Sequence, residues 1–107
     1  MALKSLASII KDDVVKDNVF PGDVLFELKA THGLPLDVAI EQIFNRGIVI
    51  DWVGFIEAAR KNNWWDFQTY DVILDALRDA LCDNELIDGI KLRFQMYVMN
   101  NPHPKMI

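Results

Sequence analysis

The sequence predicts an all-α fold: a small single-domain bundle of about five to six short helices spanning residues 1–107. Three observations carry this. Apolar residues recur at three- and four-residue spacing through nearly every segment long enough to show a period. Glycine, proline, asparagine and aspartate fall where such segments would stop and start. The composition, 51% hydrophobic and 25% charged, is that of a globular chain, with no linker or low-complexity stretch to divide it.

From the N-terminus, Leu3, Leu6, Ala7 and Ile10 predict a short amphipathic helix from Ala2 to about Lys11. Lys11 to Asn18 is polar, and Val19 and Phe20 lead back into the core. Pro21, with its fixed φ, suits the first turn of a helix whose apolar face is Val24, Leu25 and Leu28. Gly33 is the stop, because glycine adopts the left-handed conformation without a Cβ penalty. The next helix runs from about Pro35 to Arg46, burying Leu36, Ile40, Ile43 and Phe44, and Gly47 ends it. Ile48, Val49 and Ile50 make an apolar link. Asp51 caps a helix with Trp52, Phe55, Ile56 and Ala59 inward and Arg60 and Lys61 in its last turn.

After Asn62 and Asn63 the adjacent Trp64 and Trp65 cannot both face one side of a regular element. Asp66 reads as the N-cap of a helix to about Cys82, with a stripe of Phe67, Tyr70, Leu74, Leu77 and Leu81. Asp83 caps the last helix, to about Met99. Leu86, Ile90, Phe94, Tyr97 and Val98 form one apolar face, while Leu92, Met96 and Met99 lie towards another. A helix apolar on two sides either crosses its own core or offers one side to a partner. Residues 100–107, with Pro102 and Pro104, predict an extended tail.

Within this pattern the stretch Gly22 to Ala58 resembles the helical segment of alanyl-tRNA synthetases that follows the catalytic domain and is associated with tRNA recognition. The matching residues are Gly22, Phe26, Leu28, Thr31, Gly33, Pro35, Asp37, Arg46, Gly47, Asp51, Gly54, Phe55 and Ala58, thirteen positions in a 37-residue window. Lys29, Ala30 and Leu34 depart from the family's pattern, and Ala30 stands where the family has a carboxylate. The resemblance implies a place for Asp37 near a tRNA acceptor stem. The alternative is that Gly33, Pro35 and Asp37 only shape a corner between helices.

Chemistry is nearly absent from the sequence. The two histidines, His32 and His103, and the single Cys82 have no metal-ligand spacing, and Cys82 at an apolar helix end reads as an inert thiol. Asp71, Asp75 and Asp79 at helical spacing describe a solvated face, and no phosphate-binding glycine loop is present. A synthetase active site needs well over a hundred further residues. The expectation is therefore a non-enzyme without cofactor or metal.

Sixteen acidic against eleven basic residues give a net charge of -5, which opposes phosphate binding. A DNA-reading helix would have to begin Asp51-Trp52-Val53, a start that repels phosphate, so no DNA binding is expected. No apolar run approaches the roughly 20 residues needed to span a bilayer, and one cysteine with no signal peptide sets the expectation of a cytoplasmic chain.

Two functions stay open. The first is a non-catalytic interaction protein, of the kind common among viral and mobile-element accessory proteins, that binds a protein partner or itself as a homodimer through Trp64, Trp65, Leu92, Met96 and Met99. The alternative is a tRNA-binding module or mimic in which Asp37 is joined by Lys29, Arg46, Arg60 and Lys61, provided the four basic residues converge on one face.

Overall fold

The computed structural model describes residues 15–103. The helix expected at Ala2 to Lys11 and the last four residues of the tail lie outside that range. In chain order the elements are β1 (Val19–Phe20), α1 (Gly22–Ala30), α2 (Leu36–Asn45), β2 (Val49–Ile50), α3 (Trp52–Lys61), α4 (Asp66–Asp79) and α5 (Asn84–Asn100). The fold is helical as the sequence predicts, apart from one small feature. Residues 48–50 are more than a link, because Val49 and Ile50 pair in parallel with Val19 and Phe20. The amides of Val49 and Asp51 donate to the carbonyls of Asn18 and Phe20, both at 3.0 Å.

This two-stranded pairing organises the first half of the chain. Each strand leads through one residue, Pro21 or Asp51, into a helix, and α2 carries the chain back between the two units. α1 and α3 therefore start side by side and run in the same direction. They meet at glycine: a Cβ on Gly22 would fall inside van der Waals contact with the Asp51 carbonyl oxygen and the Phe55 amide nitrogen, and 2.8 Å from the Gly54 carbonyl carbon. Behind this approach Phe26 and Phe55 pack edge to face at 5.4 Å, and Trp52 lies on Phe55 at 6.0 Å.

The predicted inward faces of α1 to α3 are found in place. Leu25, Leu28, Leu36, Ile40, Ile43, Trp52, Phe55, Ile56 and Ala59 are buried, together with Phe26 and Leu34. Val24 and Phe44 are half-buried. Gly47, at φ +71°, ends α2 in a Schellman turn: the Ile48 amide donates to the Ile43 carbonyl and the Gly47 amide to that of Phe44. Asp51 caps α3 by accepting from the Gly54 amide at 3.1 Å, and Asp83 caps α5 by accepting from Leu86 at 2.8 Å.

The second half differs from the sequence reading in four places. Asp66 is the first helical residue of α4 rather than its cap. Its carboxylate is committed to Arg60, and the Trp65 amide at the cap position donates to Gln68 instead, at 2.7 Å. α4 ends at Asp79, not Cys82, because Leu81 takes a left-handed φ of +60° and the Cys82 amide turns back to the Leu77 carbonyl. Leu81 is thus thrown outward, 89% exposed, and Phe67 is outside as well. The buried side of α4 is Thr69, Ile73, Leu74, Ala76 and Leu77. On α5, Ile87 takes the buried place expected of Leu86, beside Ile90 and Phe94. The buried residues of all these elements form one cluster.

Candidate interaction surface

The two tryptophans sit where α3 stops. Asn63, at φ +68°, takes the left-handed position, and the Trp64 amide turns back to the Ala59 carbonyl at 3.0 Å. The turn sends the neighbours to different sides. Trp64 packs its indole edge to face on Phe26 at 5.1 Å and is half-buried, while Trp65 stays 40% exposed. His103 closes the corner. It is buried, with Nε2 3.0 Å from the Trp64 carbonyl and its ring 5.6 Å from that of Trp65. In the sequence His103 reads as a histidine of an extended tail without metal-ligand spacing, and its docking at this corner is visible only in the structure.

Beneath this corner a polar network ties three helices together. The Arg60 guanidinium donates to both carboxylate oxygens of Asp66, Nε at 3.0 Å and Nη2 at 2.8 Å. It lies 5.4 Å from the centre of the Tyr97 ring, and the Tyr97 hydroxyl donates to Glu57 at 3.0 Å. Donating hydrogen bonds to the Asp66 carboxylate holds the Arg60 pKa above its ordinary value. Burial, followed by the bond to Glu57 and its charge, raises that of Tyr97. Burial and then the charge of Asp83 raise the pKa of the Cys82 thiol, which disfavours the thiolate.

Of the basic residues named for RNA, one is engaged within the fold and the others stand at different helix ends. Arg60 is 11% exposed and engaged with Asp66. Lys29 and Lys61 stand at the far ends of the side-by-side α1 and α3. Arg46 lies at the other end, next to the Gly47 carbonyl that accepts from Asn18 just ahead of β1. The nine residues of α1 separate these ends by about 13 Å. Asp37 sits in the first turn of α2, where its charge complements the positive end of the helix dipole without any ligand.

Between α1 and α3 runs an open groove of about 590 Å³ whose charged lining is Asp23, Glu27, Asp51, Glu57 and Lys61. Four carboxylates and one amine favour a cation over a phosphate. The connection from α2 to α3 contains a strand, which separates the pair from a helix-turn-helix.

Apolar surface gathers on α5. Leu92 is 58% exposed, Met96 54% and Met99 79%. At 100° per residue they lie on the side of the helix opposite Ile87, Ile90 and Phe94. Beside them is a second groove, of about 290 Å³, between the start of α5 and β2. It is lined by Leu86, Gly89 and Ile90 against Phe44, Val49 and Trp52, with the charged Glu85 and Arg93 of α5 also on its wall. Among the described residues no group of acidic, histidine and cysteine side chains could hold a metal ion, and no helix is long and apolar enough to cross a membrane.

Against known proteins, no family model matches the chain, and no solved structure does. Curated relatives do. The chain is 38% identical over 80 residues to an alanine–tRNA ligase of Idiomarina loihiensis, 73% of this chain but 9% of that protein. It is 42% identical over 40 residues to the ligase of Caldicellulosiruptor saccharolyticus, 37% of this chain and 4% of the relative. A third, from Albidiferax ferrireducens, is 44% identical over 43 residues, 40% of this chain and 5% of the relative. The 80-residue match is longer than the 37-residue window of resemblance read in the sequence. The chain thus spans less than a tenth of the curated relatives it matches, and what it shares with alanine–tRNA ligases is a local segment.

Proposed function

We propose that this chain is a non-catalytic helical interaction protein, acting in the cytoplasm in an accessory role, that binds a protein partner or a second copy of itself. The observation that carries the reading is the second apolar side of α5. Leu92, Met96 and Met99 are more than half exposed while the opposite side of the same helix is fully engaged in the core. Exposed apolar side chains in a contiguous row are costly unless covered, and methionine adapts to many partner surfaces. Trp65, with its ring on His103, presents a second aromatic contact at the corner. The chain matches only a short piece of a ligase, which fits a part that has kept helical architecture without the catalytic machinery.

The likeness to alanine–tRNA ligases favours a second reading, a tRNA-binding module or mimic. That reading has to place phosphates near Asp23, Glu27, Asp51 and Glu57 and draw on basic residues at opposite ends of α1. It ranks below the first for that reason. Sedimentation of the purified chain at low salt, alone and with bulk tRNA, separates the two. The interaction reading expects no movement with tRNA. Co-sedimentation that weakens as salt is raised overturns it and makes Asp37, Arg46 and Lys61 the residues to change.

A further inference from the structure

We propose that the turn between α4 and α5 is a hinge, and that by straightening it two copies of this chain exchange α5, each passing its last helix into the other's core. The inference rests on the turn and on the inner side of α5, so it goes beyond the interaction reading above and does not draw on Leu92, Met96 and Met99.

The turn breaks a rule that the earlier helix ends keep. α1, α2 and α3 are followed by Gly33, Gly47 and Asn63 at φ +67°, +71° and +68°, residue types that tolerate the left-handed region. After α4 that role falls to Leu81, at φ +60°. A leucine there meets the Cβ clash that glycine avoids. Ala80-Leu81-Cys82-Asp83 contains no glycine or proline, and alanine and leucine are among the strongest helix formers. Leu81 also continues the three-four spacing of Leu74 and Leu77. Local preference is for one helix that runs on, while the closed fold demands a stop. The stop is held by the Cys82 amide on the Leu77 carbonyl at 3.1 Å and by the Asp83 cap on the Leu86 amide at 2.8 Å.

The contacts that hold α5 in place can be made by either copy. Phe94 packs edge to face on Tyr70 at 5.1 Å, Tyr97 meets Glu57 and Arg60, and His103 meets the Trp64 carbonyl. Each of these partners precedes residue 80, so a second copy can supply it with the same geometry.

Length makes the exchange reciprocal. With the hinge straight, residues 66–100 form one helix of about 52 Å at 1.5 Å per residue, against 40 Å for the longest dimension of the folded chain. The far end cannot return to its own core. Ile87, Ile90 and Phe94, buried in the closed chain, are then covered by a second copy that has opened in the same way. The two hinges pass one another at the two-fold axis, which gives cover to Leu81, 89% exposed in the closed chain. Strained turns between exchangeable elements favour this route to a dimer.

The test is sedimentation of the full chain after incubation at concentrations from about 1 µM to about 1 mM. The expected result is a shift from 12.3 kDa towards twice that mass, reversing slowly on dilution because α5 must first leave its core. Two exposed hinge positions push in opposite directions. Leu81→Gly relieves the turn and weakens the long helix, so it is expected to favour monomer by about tenfold per chain and about a hundredfold per dimer. Asp83→Ala removes the cap of the closed form and is expected to favour dimer by about tenfold. Met96→Glu, on the outer side of α5, is expected to leave the equilibrium unchanged. In a Cys82→Ser background, spin labels at Asp71→Cys and Arg93→Cys, diluted into unlabelled chain, read the hinge directly. These positions adjoin Tyr70 and Phe94, whose rings touch in the closed chain, and a straight hinge sets them about 33 Å apart.

A chain that stays at 12.3 kDa throughout, with Asp83→Ala included, overturns the exchange. A dimer that keeps the short distance between the two labels overturns it as well. So does a dimer that Met96→Glu abolishes and both hinge variants leave in place, since association would then use a surface and not the hinge.

Discussion

Gly22→Ala should be the most damaging single-methyl change in this chain. The added Cβ would sit within the first turn of α3, overlapping the Asp51 carbonyl oxygen and the Phe55 amide, the pair that closes that turn with a 3.3 Å hydrogen bond. All three nearest atoms are backbone, so no side chain can swing aside. The remaining relief is to push α1 away from α3, which opens gaps around Phe26, Trp52 and Phe55 and pulls β1 off β2. Overpacking of a core costs about 1–3 kcal/mol where side chains can adjust, and here the upper end applies, about 3 kcal/mol. Gain in helix propensity returns less than about 1 kcal/mol. Against a total of roughly 5–15 kcal/mol for a domain of this size, the loss is readily seen as a lower midpoint at unchanged slope in urea unfolding. Gly54→Ala is the control. Its Cβ meets the Asp51 Oδ2 at 2.6 Å, a side-chain atom that can rotate away at the expense of a cap, so about 1 kcal/mol is expected. A Gly22→Ala loss under about 1 kcal/mol, or one no larger than that of Gly54→Ala, would refute the backbone-contact argument.

Arg60→Gln leaves the 19%-exposed Asp66 carboxylate without its two-pronged partner and Tyr97 without its cation, and should destabilise by about 2 kcal/mol. A loss below about 0.5 kcal/mol in chemical denaturation would show the pair to be ornamental. Leu81→Gly should stabilise by about 1 kcal/mol, since the leucine is 89% exposed and held at φ +60°; any loss of stability contradicts this. Tyr97 carries a raised pKa, so its contribution is complete below the ordinary value near 10 and fades as pH climbs through the folded-state value. Unfolding measured above pH 10 should show the wild type losing stability faster than Tyr97→Phe; parallel curves would sink the assignment.

The helix stops and caps were legible because each rests on one residue and its immediate neighbours. Gly47 ends α2 and Asp51 and Asp83 cap α3 and α5, as their types and positions predict. The inward faces of α1 to α3 were legible for a similar reason, since one side of each short helix is apolar and the other is not. The strands were hidden because two residues carry no period, and Val19 pairs with Val49 only after the chain has returned through α2. Leu81 misled because it continues a three-four spacing while the backbone has already left the helix. Arg60 was named for RNA on its charge, yet its partner Asp66 lies across a turn and Tyr97 on another helix, a relation that periodicity does not encode. The second side of α5 was legible from spacing alone, whereas the groove beside it became visible only with the neighbouring strand in place.

The pairing of β1 with β2 also bears on how the chain acquires its shape. Val19 and Val49 come together only by closing a loop of some thirty residues, and they do so for two ladder rungs. Loop closure opposes that step with an entropy that grows with the logarithm of loop length, and two rungs return little against it. α1, α2 and α3 therefore have to be largely in contact before the strands can join, so the miniature sheet registers late. The pairing then acts as a latch on a topology that the helices have already chosen, more than as a nucleus from which they grow.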